Sequence, residues 1–114
     1  MKKGHVSSLM CSYNAINGIP ACADRDLLYG TARGGWGFEG YITSDCGAID
    51  TIIYNHHYTN DTDTTAMLGV KATCDLDCGG FYQQHILHSV ESGKLKESEV
   101  DDGRRRRGRR EVQR

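Results

Sequence analysis

Strand patterns and helix patterns alternate three times along the chain, and this alternation limits the possible folds more than any other feature. The strand patterns are short and hold apolar or β-branched residues, whereas the helix patterns carry an apolar stripe. The strand patterns cover residues 6–11, 41–43 and 74–77, and the helix patterns cover residues 25–33, 62–72 and 82–92. Strands that alternate with helices predict βαβ units, so we expect an α/β fold with parallel strands.

The length limits how much of such a fold the chain can hold. Its 114 residues allow at most one small domain. A complete (β/α)8 barrel needs ~200 residues or more, so a barrel to which these units belong would be partial. If the units belong to such a barrel, the chain forms a partial TIM barrel of about three βα units. A last helix is predicted to begin near Glu99, after Ser98 as its cap.

One carboxylate lies where α/β folds place their functional groups. The stretch 41–43 reads as a buried strand, and Asp45 follows at its carboxyl end, before Gly47 allows a tight exit. A side chain at the carboxyl end of a parallel strand lies at the mouth of the sheet or barrel, where catalytic groups are found. A capping role for Asp45 at the next helix is the alternative, since aspartate is a good N-cap.

The formal net charge of −1 hides an asymmetry between the body and the end of the chain. Residues 104–114 hold seven arginines and one glutamate, so the remainder is strongly acidic. An acidic body is a poor surface for nucleic acid. We predict that residues 103–114 form a disordered, solvated tail. The alternative is that this tail binds nucleic acid or serves as a localisation signal.

Five cysteines are an odd number, which in an oxidising compartment indicates two disulfides and one spare thiol. Cys11 and Cys22 flank a predicted turn at Asn17-Gly18, and a bridge between them would close that loop. Cys46 and Cys78 would link neighbouring strand ends, which leaves Cys74 as the spare thiol. Unpaired cysteines that serve as small apolar residues are the alternative, because connectivity cannot be read from a sequence.

Zinc could in principle bind His56 and His57 together with Cys74 and Cys78, but the spacing of these residues matches no common zinc pattern. We expect the histidines to line a loop at the barrel mouth. No run of about 18 apolar residues is present, so no transmembrane helix is predicted. The lysines at residues 2–3 are followed by no apolar segment, and we predict no signal peptide.

Three sequence blocks together identify a family. They are residues 10–20 (MCSYNAINGIP), 36–46 (WGFEGYITSDC) and 75–79 (DLDCG). In this order and spacing they resemble the N-terminal barrel of family 3 glycoside hydrolases, and most closely the β-xylosidase and α-arabinofuranosidase branch. The resemblance covers residues 6–102. It implies an extracellular enzyme that removes terminal xylosyl or arabinofuranosyl residues from xylo- or arabino-oligosaccharides.

The resemblance also assigns roles to individual residues. It implies that Asp45 is the nucleophile of a retaining double displacement, and that Tyr13 contacts the sugar in the −1 subsite. Cys46 is also expected to bind the substrate, and a cysteine at this position is typical of the xylosidase branch. Asp75, Asp77 and Cys78 are expected on the same rim without a catalytic role. No metal or organic cofactor is implied.

The resemblance further implies that other parts of the enzyme are needed. The family's other sugar-binding residues precede Val6, and its acid/base glutamate belongs to a second domain. We therefore expect the isolated chain to be inactive. A non-catalytic remnant of the barrel is the alternative.

Overall fold

The computed structural model describes residues 6–113, and the side chains of residues 6–106. The elements follow the predicted α/β alternation, with a small hairpin between the first strand and the first helix. The strands are β1 (Ser8–Cys11), β2 (Ala15–Ile16), β3 (Ile19–Pro20) and β4 (Tyr41–Ser44). The helices are a 3-10 turn (Ala21–Ala23), a π-helix (Asp26–Gly35), α1 (Ala48–Tyr54), α2 (Thr62–Lys71), α3 (Phe81–Glu91) and α4 (Glu97–Gln113).

The central sheet is parallel, as the alternation predicts. Strand β1 pairs with β4 in register from Ser8 opposite Tyr41 to Cys11 opposite Ser44. The third predicted strand adds to the other side of β4 through one parallel bridge, between Thr43 and Leu76. It is therefore shorter than predicted, although the three segments keep the order and direction of consecutive barrel strands.

The hairpin between β2 and β3 turns at Asn17 and Gly18, whose φ angles are 53° and 82°. Two consecutive positive φ angles are typical of the tight hairpin turns that favour Asn-Gly. The sequence prediction of a turn at this dipeptide is confirmed. The hairpin projects from the carboxyl end of β1, so it presents the segment just after Cys11 next to the end of β4.

The core lies between the sheet and the helices that cover it. Ile42, Ile49, Ile52 and Ala66 have no solvent exposure, and they come from β4, α1 and α2. Helices α2 and α3 approach closely at Gly69, where an added Cβ would lie 2.6 Å from the hydroxyl oxygen of the neighbouring tyrosine on α3. A glycine at this position therefore sets the distance between the two helices.

Gly40 lets β1 and β4 approach each other. An added Cβ at Gly40 would lie 2.0 Å from the carbonyl oxygen of Ser7 and 2.7 Å from Cζ of Phe38. Real side-chain atoms do not tolerate such distances, because atoms at this separation overlap. Glycine at this position therefore permits the parallel pairing that starts one residue later.

The predicted cap of the last helix is wrong, because α4 begins at Glu97 and Ser98 lies inside it. At two other helix starts, aspartate carboxylates accept backbone N–H groups of the first turn. The carboxylate of Asp61 accepts the Thr64 N–H at 2.7 Å at the start of α2, and the carboxylate of Asp24 accepts the Leu27 N–H at 3.1 Å next to the π-helix. The helix predicted at 25–33 is present but has π-type hydrogen bonds, such as that from Trp36 N–H to the Thr31 carbonyl at 2.9 Å.

The end of the chain differs from the prediction. Helix α4 begins at Glu97 and continues to Gln113, so the segment predicted as a disordered tail is helical as far as it is described, and Arg114 lies outside the described residues. Gly103 is buried on α4, and Arg106 forms an ion pair with Asp75. The tail is held because a basic side chain reaches a buried carboxylate of the body. Within the described residues, no helix has the length and apolar character needed to cross a membrane.

Candidate active site

The carboxyl ends of the three parallel segments meet on one rim. Tyr13 follows β1, Asp45 follows β4 and Asp77 ends the edge segment that contains Leu76. The backbone joins them directly, because the Asp45 N–H donates to the Cys11 carbonyl at 2.9 Å. The structure thus brings together two of the predicted site residues, Tyr13 and Asp45, on the rim where α/β enzymes place their chemistry.

Asp45 is half-buried, and its carboxylate has a defined orientation. Its Oδ1 accepts the backbone N–H of Cys46 at 2.8 Å. The carboxylate does not cap the following helix, because Gly47 occupies the N-cap position of α1 with a φ of 77° and no side-chain hydrogen bond. The capping alternative is therefore wrong, and the side chain remains at the rim.

Tyr13 is fixed at both its hydroxyl and its backbone. The hydroxyl donates to the carbonyl of Cys46 at 2.5 Å, and the Tyr13 carbonyl lies 2.6 Å from Nε2 of His56. Desolvation raises the pKa of Tyr13 above its usual value, and the nearby Asp45 carboxylate raises this pKa further. The phenol consequently keeps its proton at neutral pH and serves as a hydrogen-bond donor beside Asp45.

Cys46 lies next to both residues, but its sulfur is bonded to Cys78. The Gly47 N–H donates to the Cys78 carbonyl at 2.8 Å, so a covalent bond and a hydrogen bond both join the end of β4 to the edge segment. The second predicted disulfide, Cys11–Cys22, is also present, and Cys74 is the buried free thiol. The predicted pairing is confirmed. Cys46 is exposed at the rim, where contact with a substrate remains a prediction.

Asp77 supports the rim by its hydrogen bonds. Its Oδ1 accepts the Ser44 hydroxyl at 3.2 Å, and its Oδ2 accepts the Tyr82 N–H at 3.1 Å. The Ser44 oxygen in turn accepts the Cys78 N–H at 3.0 Å. Both carboxylate oxygens of Asp77 are thus occupied by donors that hold the strand end and the start of α3.

Asp75 does not share this rim, contrary to the sequence expectation. Its side chain is 1% exposed, and Oδ2 accepts Arg33 at 2.7 Å and the Ile42 N–H at 3.2 Å. Oδ1 accepts two N–H groups of Arg106, at 2.7 and 2.9 Å. Because Ile42 lies three residues before Asp45, this cluster lies toward the amino-terminal end of β4. Burial lowers the pKa of Arg33, which the nearby Asp75 carboxylate partly offsets.

His56, His57, Cys74 and Cys78 do not form a common metal site in the described part of the chain. His56 contacts the Tyr13 backbone, and Cys78 is in a disulfide. The metal-type grouping that the described residues do form is Cys11, Cys22 and Cys74, two of which are bonded to each other. The sequence predicts the histidines at the mouth but not the contact of His56 with the Tyr13 backbone. The polar loop after α1 is the only sequence signal that points to such a contact.

A cavity of about 650 Å³ lies between α3, α4 and the edge segment. Its lining includes Leu76, Ile86 and Val100 but neither Asp45 nor Tyr13. The candidate site is therefore the open rim. The cavity is a separate feature, lined by the edge segment, α3 and α4.

Comparison with known proteins agrees with this arrangement. Residues 3–109 match the glycosyl hydrolase family 3 N-terminal domain. The chain is 48% identical over 101 residues to probable β-D-xylosidase 6 of Arabidopsis thaliana, and 42% identical over 99 residues to β-xylosidase/α-L-arabinofuranosidase 2 of Medicago sativa subsp. varia. These matches cover 89% and 87% of this chain but 13% of each relative.

Solved structures give the same result for the fold. A family 3 exo-β-xylosidase in complex with a xylobiose aziridine activity-based probe matches with a TM-score of 0.86 and 34% identity, over 90% of this chain and 14% of that one. A β-glucosidase from Listeria innocua in complex with glucose matches with a TM-score of 0.80 and 31% identity, over 85% of this chain and 14% of that one. The prediction of a partial barrel with parallel strands is confirmed, and the chain belongs to glycosyl hydrolase family 3.

Proposed function

We propose that this chain supplies the nucleophile-bearing rim of a retaining glycosidase that acts on terminal β-xylosyl or α-arabinofuranosyl residues. The observation that carries the proposal is the half-buried Asp45 carboxylate at the carboxyl end of β4, oriented by the Cys46 N–H and next to the Tyr13 hydroxyl. A retaining glycosidase needs a carboxylate that is rigidly held at the mouth of the fold and accessible to a sugar.

In the proposed reaction, Asp45 forms a bond to the anomeric carbon while the glycosidic oxygen leaves. A second carboxyl group, about 5–5.5 Å from the first, protonates the leaving oxygen and then activates water to release the sugar. Asp77 is a poor candidate for this acid, because Ser44 and Tyr82 donate to its two oxygens. We expect the acid/base residue to come from another part of the longer protein.

Tyr13 would assist as a hydrogen-bond donor. Its pKa is raised by desolvation and by the Asp45 carboxylate, so the phenol keeps its proton at neutral pH and can donate a hydrogen bond. The Cys46 carbonyl, which now accepts the Tyr13 hydroxyl, places that hydroxyl beside the carboxylate. We propose that a sugar oxygen accepts this hydrogen bond when the −1 subsite is filled, and that the exposed Cys46 lies against the sugar.

The substrate class and the compartment are also proposals. Relatives named as β-xylosidases and a β-xylosidase/α-L-arabinofuranosidase support xylo- or arabino-oligosaccharides as substrates. The disulfides Cys11–Cys22 and Cys46–Cys78 support an oxidising, extracellular compartment, because disulfides persist there and are rare in the cytosol.

The arginines of α4 whose side chains are described favour this function over nucleic-acid binding. Arg105 lies 3.0 Å from Asp102, and Arg104 lies 3.8 Å from Asp101. Arg106 is committed to Asp75. Nearby carboxylates reduce the positive potential that a phosphate backbone would need.

A chimera tests the proposal in the presence of the remaining enzyme. Residues 6–102 replace the matching segment of the 48% identical Arabidopsis relative, and hydrolysis of an aryl β-xyloside is measured. We expect turnover, and a loss of about a thousandfold or more in kcat for Asp45→Asn, since removal of a nucleophile costs at least ~4 kcal/mol of transition-state stabilisation.

The exposed carboxylate of Asp26 gives the control, because Asp26→Asn changes the same chemical group on the distant π-helix and should leave kcat unchanged. A folded chimera without turnover would instead support the non-catalytic remnant. Turnover that survives Asp45→Asn would remove Asp45 from the mechanism.

A further inference from the structure

Three sulfur atoms of the core lie together behind the candidate site. Cys11, Cys22 and Cys74 are all buried, and their sulfur atoms lie within 4.8 Å of one another. Cys11 and Cys22 form a disulfide. The thiol of Cys74 lies 3.6 Å from the Cys11 sulfur, which is a direct contact between a thiol and a disulfide.

The fold holds this contact in place from both sides. Cys11 ends β1 in the central sheet, and Cys74 precedes the edge segment that pairs on the other side of β4. The backbone of Cys74 is fixed, because its N–H donates to the Gly69 carbonyl at 3.0 Å and its carbonyl accepts the Tyr82 hydroxyl at 2.8 Å. Cys74 lies in the short connection between α2 and the edge segment, and these two hydrogen bonds fix its backbone beside the disulfide.

We propose that Cys74 exchanges with the Cys11–Cys22 disulfide, so that Cys11 has two alternative partners within the folded protein. In this step the Cys74 sulfur attacks the Cys11 sulfur. The Cys11–Cys74 bond forms, the Cys11–Cys22 bond breaks, and Cys22 leaves as a thiolate that takes up the proton lost by Cys74. One disulfide and one thiol are present before and after, so no external oxidant or reductant is needed.

The exchange would change the tether of the loop that carries Tyr13. The Cys11–Cys22 bond closes residues 12–21, which include the hairpin and Tyr13. In the alternative pairing this loop loses its covalent closure, while β1 becomes bonded to the edge segment. The proposal concerns the covalent state of the chain and does not depend on its glycosidase activity.

The surroundings of Cys74 predict a slow exchange at neutral pH. Burial raises the pKa of Cys74 to about 12, and the carboxylates of Asp75 and Asp77 raise it further, while hydrogen bonds with Tyr82 and the Leu76 carbonyl act in the opposite direction. Because the thiolate is the attacking species, the rate should rise about tenfold for each unit by which the pH is increased, as long as the pH stays below that pKa.

Disulfide mapping of the full chain tests the proposal. The native protein is incubated without oxidant at about pH 7 and about pH 9, quenched with acid, alkylated in denaturant and digested without reduction. We expect a Cys11–Cys74 peptide with alkylated Cys22 beside the Cys11–Cys22 form, and faster formation at the higher pH. Cys74→Ser should abolish alkylation of Cys22, while Cys46–Cys78 stays intact in every sample.

A map that shows only Cys11–Cys22 with alkylated Cys74 at both pH values would overturn the proposal. Alkylation of Cys46 or Cys78 together with Cys22 would also overturn it, because this pattern would indicate scrambling through unfolding. A second variant, Cys22→Ala treated with oxidised glutathione, should form Cys11–Cys74. A glutathione adduct on Cys11 in place of that bond would contradict the geometry.

Discussion

The ion-pair cluster at Asp75 yields a quantitative prediction about the end of the chain. Arg106 donates two hydrogen bonds to Oδ1 of Asp75, and its own side chain is 20% exposed. Hydrogen bonds to a buried charge contribute ~1.5–3 kcal/mol each, but Arg33 would still compensate the carboxylate in an Arg106 variant. We therefore expect Arg106→Gln to lower the free energy of unfolding by about 1–3 kcal/mol.

Arg105 is a matched control on the same helix. Its side chain is 69% exposed and pairs with Asp102, which is 53% exposed. Exposed ion pairs contribute ~0–1 kcal/mol, so Arg105→Gln should change the unfolding free energy by less than ~0.5 kcal/mol. Arg33→Gln should be the most damaging variant, at about 3–5 kcal/mol, because it also removes donors to Gly40 and Thr73 and leaves a buried carboxylate.

Urea unfolding followed by far-UV circular dichroism measures these differences. With a slope of ~1–3 kcal/mol per molar urea, a loss of about 2 kcal/mol lowers the midpoint by roughly 1 M. Equal midpoints for Arg106→Gln and Arg105→Gln would refute the argument that Arg106 holds α4 to the body. In that case the helix end would be a solvated tail, as its composition alone predicts.

Three other predictions follow from local geometry. Gly40→Ala should destabilise the chain by more than ~2 kcal/mol in urea unfolding because its Cβ would overlap the Ser7 carbonyl, whereas Gly30→Ala, with nothing within 4 Å, should be neutral or stabilising by up to ~1 kcal/mol. Burial raises the pKa of Cys74 from 9.0 to about 12, so the unfolded chain loses this proton at a lower pH than the folded chain does. The free energy of unfolding should therefore fall as the pH rises from about 9 to about 12, and Cys74→Ala should weaken this fall when urea unfolding is measured over that pH range. In the family 3 chimera, Tyr13→Phe should lower kcat/KM about 10- to 100-fold with little change in the unfolding midpoint, and an unchanged kcat/KM would exclude a role for its hydroxyl.

The parts of the fold that could be predicted are those with local signals. Alternating strand and helix patterns gave the parallel α/β arrangement, and the Asn17-Gly18 dipeptide gave the hairpin turn. The position of Asp45 directly after a strand of β-branched and aromatic residues predicted that its side chain lies at the carboxyl-end rim of the sheet. In each case the preference of a few neighbouring residues agrees with the final structure, so tertiary contacts did not have to override it.

The parts that could not be predicted depend on residues far apart in the sequence. Asp75 has the same rim-like context as Asp77, and its burial follows from Arg33 and Arg106, which are 42 and 31 residues away. The contact between α4 and the body likewise includes a long-range ion pair, from Arg106 to Asp75, whereas the composition of residues 103–114 alone favours disorder. The contact of His56 with the Tyr13 backbone spans 43 residues and has no pattern in the sequence.

The most direct test of the account is to trap the covalent intermediate on Asp45. The family 3 chimera is treated with a 2-deoxy-2-fluoro-β-xylosyl fluoride, whose fluoride leaves with little need for an acid, and the adduct is located by tandem mass spectrometry. We predict a single 2-fluoroxylosyl adduct on the Asp45 carboxylate, absent in Asp45→Asn and retained in Asp26→Asn. An adduct on another carboxylate, in a chimera that turns over substrate, would contradict the assignment of the nucleophile.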